Sequence, residues 1–140
     1  MICTTGLLLL TAACSNEDRA ARRRAAGPTP TREALARVAS VAAGAALFNR
    51  CATCHPIRPQ ALDRNGPNLF GVMGKPVASN SARFAYTAAL QRAGGTWTPA
   101  RMDAWLADPQ TFAPGTAMTI AGVPDPLDRA DLIAFLQAQH

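Results

Sequence analysis

Apolar positions along this chain change their period from segment to segment. Residues 2–13 are almost uncharged and apolar, centred on Leu7-Leu8-Leu9-Leu10. Twelve such residues are too few to cross a bilayer but match the apolar core of an export signal. Residues 15–40 have no apolar period: alanines alternate with Arg22-Arg23-Arg24 and with Gly27-Pro28-Thr29-Pro30. Low aromatic content and clustered like charge disfavour a packed core there, and the prolines predict an extended tether. Helical patterning starts at residues 44–50, where Gly44 and Phe48 stand four apart. It returns near the end, where Leu132, Phe135 and Leu136 share one face. Thr98-Pro99 offers a cap followed by proline at the first helical position, which predicts a helix over 99–107 that Asp108-Pro109 stops. Asp125-Pro126 repeats the signal for the last helix. Glycine and proline make loops of 65–71 and 113–118. The expected class is all-α, with the face of the last helix packed on Gly44 and Phe48, where glycine permits close approach.

The chemistry lies in Cys51-Ala52-Thr53-Cys54-His55. Two cysteines three apart followed at once by histidine form the pattern for covalent attachment of a c-type haem. On a helical turn the two thiols share a face and can reach both vinyl groups along one haem edge, while His55 faces the iron as a neutral imidazole ligand. A thioredoxin-like redox pair would need a strand before the motif and a helix after it, but a helical segment precedes it and Pro56 follows it. A zinc site would need further partners. The other histidine, His140, ends the chain, and the other cysteines, Cys3 and Cys14, stand near its start.

The 140 residues allow one domain and a tail. A globule of about 100 residues is marginal on protein core alone, so burial of a flat apolar haem is expected to be structural as well as functional. The net charge of +5 is unevenly spread: from Val41 onward eight basic residues face six acidic ones. No basic stripe interleaved with aromatics occurs there, which excludes nucleic acid as a partner. The Arg19, Arg22, Arg23 and Arg24 cluster can lie on anionic lipid headgroups or be simply solvated. Export fits the thiols, because haem attachment takes place outside the cytoplasm.

Taken together, Cys51 to His55, Gly66-Pro67-Asn68-Leu69, Tyr86-Thr87, Gly95-Thr96-Trp97, Asp108-Pro109, Pro114-Gly115-Thr116-Ala117-Met118 and Ala121-Gly122 resemble class I cytochrome c of the mitochondrial and alphaproteobacterial type, as does the run from Asp128 to Leu136. The resemblance implies a small all-α fold in which N- and C-terminal helices cross around one covalent haem c. Separately, Leu10-Thr11-Ala12-Ala13-Cys14 resembles the lipobox of bacterial lipoproteins, which implies lipidation of Cys14. Ordinary cleavage near Cys14 and an uncleaved anchor remain alternatives. The expected organisation is a signal over 1–13, a flexible Arg/Ala/Pro tether over 14–40 and a cytochrome c domain over 41–140.

Met73, Met102, Met118, Lys75 and His140 carry atoms able to serve as a sixth iron ligand. Met102 falls inside the 99–107 helix and is expected to fill core, and the resemblance places Met118 at the ligand position. It also implies that the Pro67 carbonyl accepts from His55, that Tyr86 and Trp97 donate to one haem propionate, and that Thr116 donates to the other. These last three can equally be ordinary buried groups. Leu69, Phe112 and Ile120 are expected to pack on the haem, and Leu90 and Trp105 to make the methionine side dry. A His/Met pair fills both axial positions, so the expected function is one-electron transfer between redox proteins and not enzymatic turnover. The expected location is the periplasm, on a membrane-anchored lipoprotein. Gln110, Thr111 and Ala117 stand where the family carries docking lysines, so docking through a lysine ring is not expected. A fixed haem subunit of a respiratory dehydrogenase or oxidase complex is the alternative; a haem peroxidase or gas sensor would need an open sixth site.

Overall fold

The computed structural model describes the backbone from Leu7 to His140 and side chains from Asn16 onward. Residues 1–6 of the proposed signal over 1–13, and the side chains of residues 7–15 including Cys14, lie outside the described residues. The chain divides into two compact units, Met1–Ala39 and Ser40–His140.

In the first unit, α1 (Leu7–Ala26) and α2 (Arg32–Val38) flank a short non-helical stretch. Residues 15–40, expected as extended chain, are therefore mostly helical. Alanine and arginine are strong helix formers, and this local preference outweighs the prolines, which sit only in the break. Gly27, at φ +92°, ends α1, and the Thr31 hydroxyl accepts from Ala34 N–H at 3.1 Å to begin α2. Arg22 pairs with Asp18 one turn earlier at 3.0 Å. Among the described residues no helix is long and apolar enough to cross a membrane.

The second unit holds α3 (Val41–Phe48), α4 (Ala88–Ala93), α5 (Pro99–Ala107), α6 (Pro109–Phe112) and α7 (Pro126–Gln137). Its described residues form no strand, only an isolated bridge between Pro76 and Thr96. α5 and α7 begin where their Thr-Pro and Asp-Pro signals predict: the Thr98 hydroxyl accepts from Arg101 N–H and the Asp125 carboxylate from Leu127 N–H. Helices α3 and α7 cross at Gly44. A Cβ there would meet the Asp131 carbonyl group and lie 2.7 Å from Phe135 Cβ, so only glycine lets the backbones come this close. Phe48 and Phe135 pack across the crossing with ring centroids 5.2 Å apart. The buried Asp131 carboxylate accepts from Ser40 N–H at 2.7 Å, supplying an acceptor for a donor at the start of α3.

The core runs from Phe48, Leu132 and Leu136 through Met102 and Leu106 to Trp97 and Trp105. Met102 is core, as its place in α5 predicts. Arg129 fastens α7 to α5 through Asp103 at 2.6 Å and donates to the Val123 and Pro124 carbonyls.

Candidate haem site

The Cys51–His55 segment continues the right-handed turn of α3. Cys51 N–H and Ala52 N–H both donate to the Phe48 carbonyl, and Cys54 N–H and His55 N–H both donate to the Cys51 carbonyl. The two thiols, three residues apart on that turn, are free and half-buried. Burial pushes the Cys51 thiol up, against the pull of Arg50. This favours the protonated thiol over the thiolate, and with no disulfide at either cysteine both sulfurs are free for attachment.

His55 is half-buried, and one of its ring nitrogens is assigned by geometry. Nδ1 lies 2.9 Å from the Pro67 carbonyl oxygen. A carbonyl can only accept, so Nδ1 carries the proton and Nε2 keeps its lone pair. Burial pushes the imidazole below its usual range, with the Pro67 contact opposing, which favours the neutral form that binds a metal. Gly66 lies flat against the ring: a Cβ there would sit 2.6 Å from Nδ1 and 2.8 Å from Nε2.

The loop behind that glycine is held by side chains in place of secondary structure. Asn68 donates to the Arg58 and Ala61 carbonyls at 2.8 and 3.1 Å. Asp63 accepts from Asn68 N–H at 2.8 Å and from the Ser81 hydroxyl at 2.6 Å. Asn80 donates to the Asn68 and Phe70 carbonyls. Sequence reasoning missed Asp63, Asn80 and Ser81. Asn, Asp and Ser at turn positions are the local signal for such bonds, but their partners lie up to 18 residues away.

Further along the chain, α6 leads into the Met118 loop. Asp108 ends α5, and its carboxylate then accepts from Gln110 N–H and Thr111 N–H at 3.1 and 3.0 Å to start α6. The Thr111 hydroxyl, the Thr111 N–H and the Gln110 N–H together hold the Asp108 carboxyl below its usual range. Gly115 turns the loop at φ +90°. Thr116 is buried, and its hydroxyl oxygen accepts from Met118 N–H at 3.4 Å. Met118 is half-buried against the core, as are Leu69, Leu90 and Phe112.

Of the remaining expected residues, Trp97 is buried at 6% exposure. It stacks on Phe112 at 5.7 Å and meets Trp105 at 5.8 Å. The Tyr86 hydroxyl accepts from Ser81 N–H at 3.0 Å, leaving its own proton available to donate. Burial pushes that hydroxyl up. Lys75 and His140 are exposed. Ile120, expected to pack on the haem, is 43% exposed.

These residues fit a covalent haem: two free thiols on one turn, a neutral imidazole with its outer nitrogen free, a loop methionine, and apolar side chains half-covered around them. Residues 41–139 match the Cytochrome c family. The chain is 42% identical over 106 residues to "Cytochrome c homolog" of Bradyrhizobium diazoefficiens, covering 76% of this chain and 58% of that protein. It is 39% identical over 97 residues to "Cytochrome c2" of Rhodomicrobium vannielii, covering 69% of this chain and 77% of that protein. Among solved structures it is similar to cytochrome cH from Methylobacterium extorquens, with a TM-score of 0.64 and 37% identity, covering 70% of this chain and 97% of that one. Members of this family carry one covalently bound haem c and are electron carriers, not enzymes.

Proposed function

Because the chain belongs to the cytochrome c family, we propose that it is a single-haem electron carrier with His55 and Met118 as axial ligands and Cys51 and Cys54 as the covalent attachments. The observation that carries this reading is the tautomer of His55: with Nδ1–H committed to Pro67, Nε2 is free beside two reduced thiols. Haem c supplies the one-electron couple. The chain's residues hold and tune it. The hydrogen bond from Nδ1–H orients the imidazole and strengthens it as a donor. The soft Met118 thioether and the dry wall of Leu90, Trp97, Trp105 and Phe112 favour the reduced metal, because burial penalises the additional charge of the ferric form. With both axial positions taken, carbon monoxide has no free site on the reduced protein, which separates a carrier from a peroxidase or sensor.

The test is the visible spectrum of the oxidised protein produced with haem maturation. A thioether-to-iron charge-transfer band is expected and should vanish in Met118→Ala; its absence from the parent would overturn the ligand assignment.

The placement of the carrier follows from the first 40 residues. Residues 2–13 direct export, Cys14 carries lipid, and residues 14–40 link the anchor to the haem domain on the periplasmic side. Tethering raises the local concentration of a membrane-bound redox partner. Cys14→Ser should release the mature protein from the membrane fraction without altering its spectrum; retention on the membrane would exclude Cys14 as the anchor.

A further inference from the structure

The position of Gln110 is set from both sides. Asp108 accepts its backbone N–H, and Phe112, two residues on, is held in the aromatic stack with Trp97. Its side chain reaches over the next loop, where Nε2 lies 3.1 Å from the Thr116 carbonyl and 3.2 Å from the Met118 carbonyl. Both partners are acceptors, so the amide orientation is determined, and the NH2 group has one hydrogen for each. The peptide groups of Met118 are thereby gripped twice: its N–H by the Thr116 hydroxyl and its carbonyl by Gln110. No charged residue occurs between Asp108 and Asp125, so no cation on this stretch supplies these donors instead.

We infer that Gln110 is a positioning residue for Met118: its carboxamide latches the 113–118 loop to α6 and suppresses the state in which the sulfur swings off the iron. This inference rests on the proposed role of Met118 as ligand. Gln110 touches no ligand atom and acts only through the loop backbone.

The test uses the ferric holoprotein and free imidazole as a competing ligand. Imidazole binds only when Met118 has left, so its apparent affinity scales with the open fraction. Gln110→Glu keeps the shape and replaces the donor by an acceptor facing two carbonyls; Gln110→Met keeps the shape and has no donor. Each should tighten imidazole binding by about five- to tenfold, the scale of one or two modest hydrogen bonds. Each should also lower the temperature at which the thioether-to-iron band fades, while the loss of helix signal stays at the parent temperature. In a Met118→Ala background the same replacements should change imidazole affinity by less than about twofold, because the coupled partner is gone. Unchanged affinity in the native background, or equal tightening in both backgrounds, would overturn the latch and leave the ligand assignment standing. If Met118→Ala itself neither removes the band nor tightens imidazole, the ligand assignment and the latch fall together.

Discussion

Gly66→Ala tests the link between fold and site most sharply. The added Cβ would be driven into the His55 ring, 2.6 Å from Nδ1 and 2.8 Å from Nε2, where atoms need more than 3 Å. Neither side can yield cheaply. The glycine backbone is bound on both flanks, Gly66 N–H donating to the Cys54 carbonyl at 3.1 Å and Arg64 N–H donating to the Gly66 carbonyl at 3.0 Å. The ring is bound to Pro67 at 2.9 Å and anchored in the cysteine turn. Overpacking costs about 1–3 kcal/mol, and losing the Nδ1–Pro67 hydrogen bond adds about 0.5–1.5 kcal/mol, so about 2–4 kcal/mol of stability should disappear. For a domain of this size that lowers the melting temperature by at least about 10 °C. A displaced imidazole should also weaken as a ligand, on the scale of about 10–100-fold in metal affinity. Gly71→Ala is the control: its φ of +66° lies in the glycine region, but nothing stands within 4 Å of an added Cβ. It should cost only about 1–2 kcal/mol, from backbone conformation alone. Thermal melts of the two holoproteins, with reduction potentials alongside, check this. If Gly66→Ala melts no lower than Gly71→Ala, the glycine is not holding the ligand ring and the reasoning fails.

Gly44→Ala gains about 1 kcal/mol in helix propensity yet forces a Cβ into the Asp131 carbonyl and Phe135. A net loss of about 2 kcal/mol is expected in urea melts, and a neutral result would refute the close crossing. The Asp108 carboxyl, held down by Thr111 and Gln110, contributes stability that is complete above the ordinary carboxyl range and is lost as pH falls through its lowered value. Asp108→Asn should therefore lower the melting temperature at neutral pH, and the gap to the parent should close in acid, once the parent carboxyl is protonated; a gap unchanged by acid would refute it. Because residues 109–124 carry no charge, electron self-exchange through the Met118 rim, read by NMR line broadening, should vary less than about threefold from 10 to 300 mM salt. A steep salt dependence would place the exchange face elsewhere.

Signals confined to a few neighbouring residues were legible. Thr98-Pro99 and Asp125-Pro126 mark α5 and α7 because a cap and a proline at the first turn act locally, and Cys51 to His55 carry their chemistry within one turn. Short elements were not legible. α4 spans six residues and buries none of them, so it has no apolar stripe to read. α6 spans four, too few for a period, although the Asp108-Pro109 signal that ends α5 is also the signal that starts it. In residues 15–40 the prolines act only within the break at 27–31, whereas alanine and arginine decide the conformation on either side. Bonds from side chains to distant carbonyls, as at Asn80 and Gln110, leave no trace in spacing, because their partners meet only after the chain has folded.

The two loops that position the proposed ligands share one construction principle. Each is punctuated by proline and glycine, Gly66-Pro67 on one side and Pro114-Gly115 on the other. Each is fixed by polar bonds to main-chain carbonyls: Nδ1 of His55 on Pro67, and Nε2 of Gln110 on Thr116 and Met118. Apolar packing is non-directional and would define the positions of imidazole and thioether only loosely, whereas a hydrogen bond weakens steeply with angle and so fixes orientation. For one-electron transfer this matters more than affinity, since a site that keeps the same geometry in both oxidation states needs little rearrangement when the electron arrives. The His55 tie is partly buried, whereas one of the two Gln110 bonds is exposed to solvent. Hydrogen bonds open to water are worth less, so the methionine side should be the first to release its ligand on warming, with His55 still bound to iron.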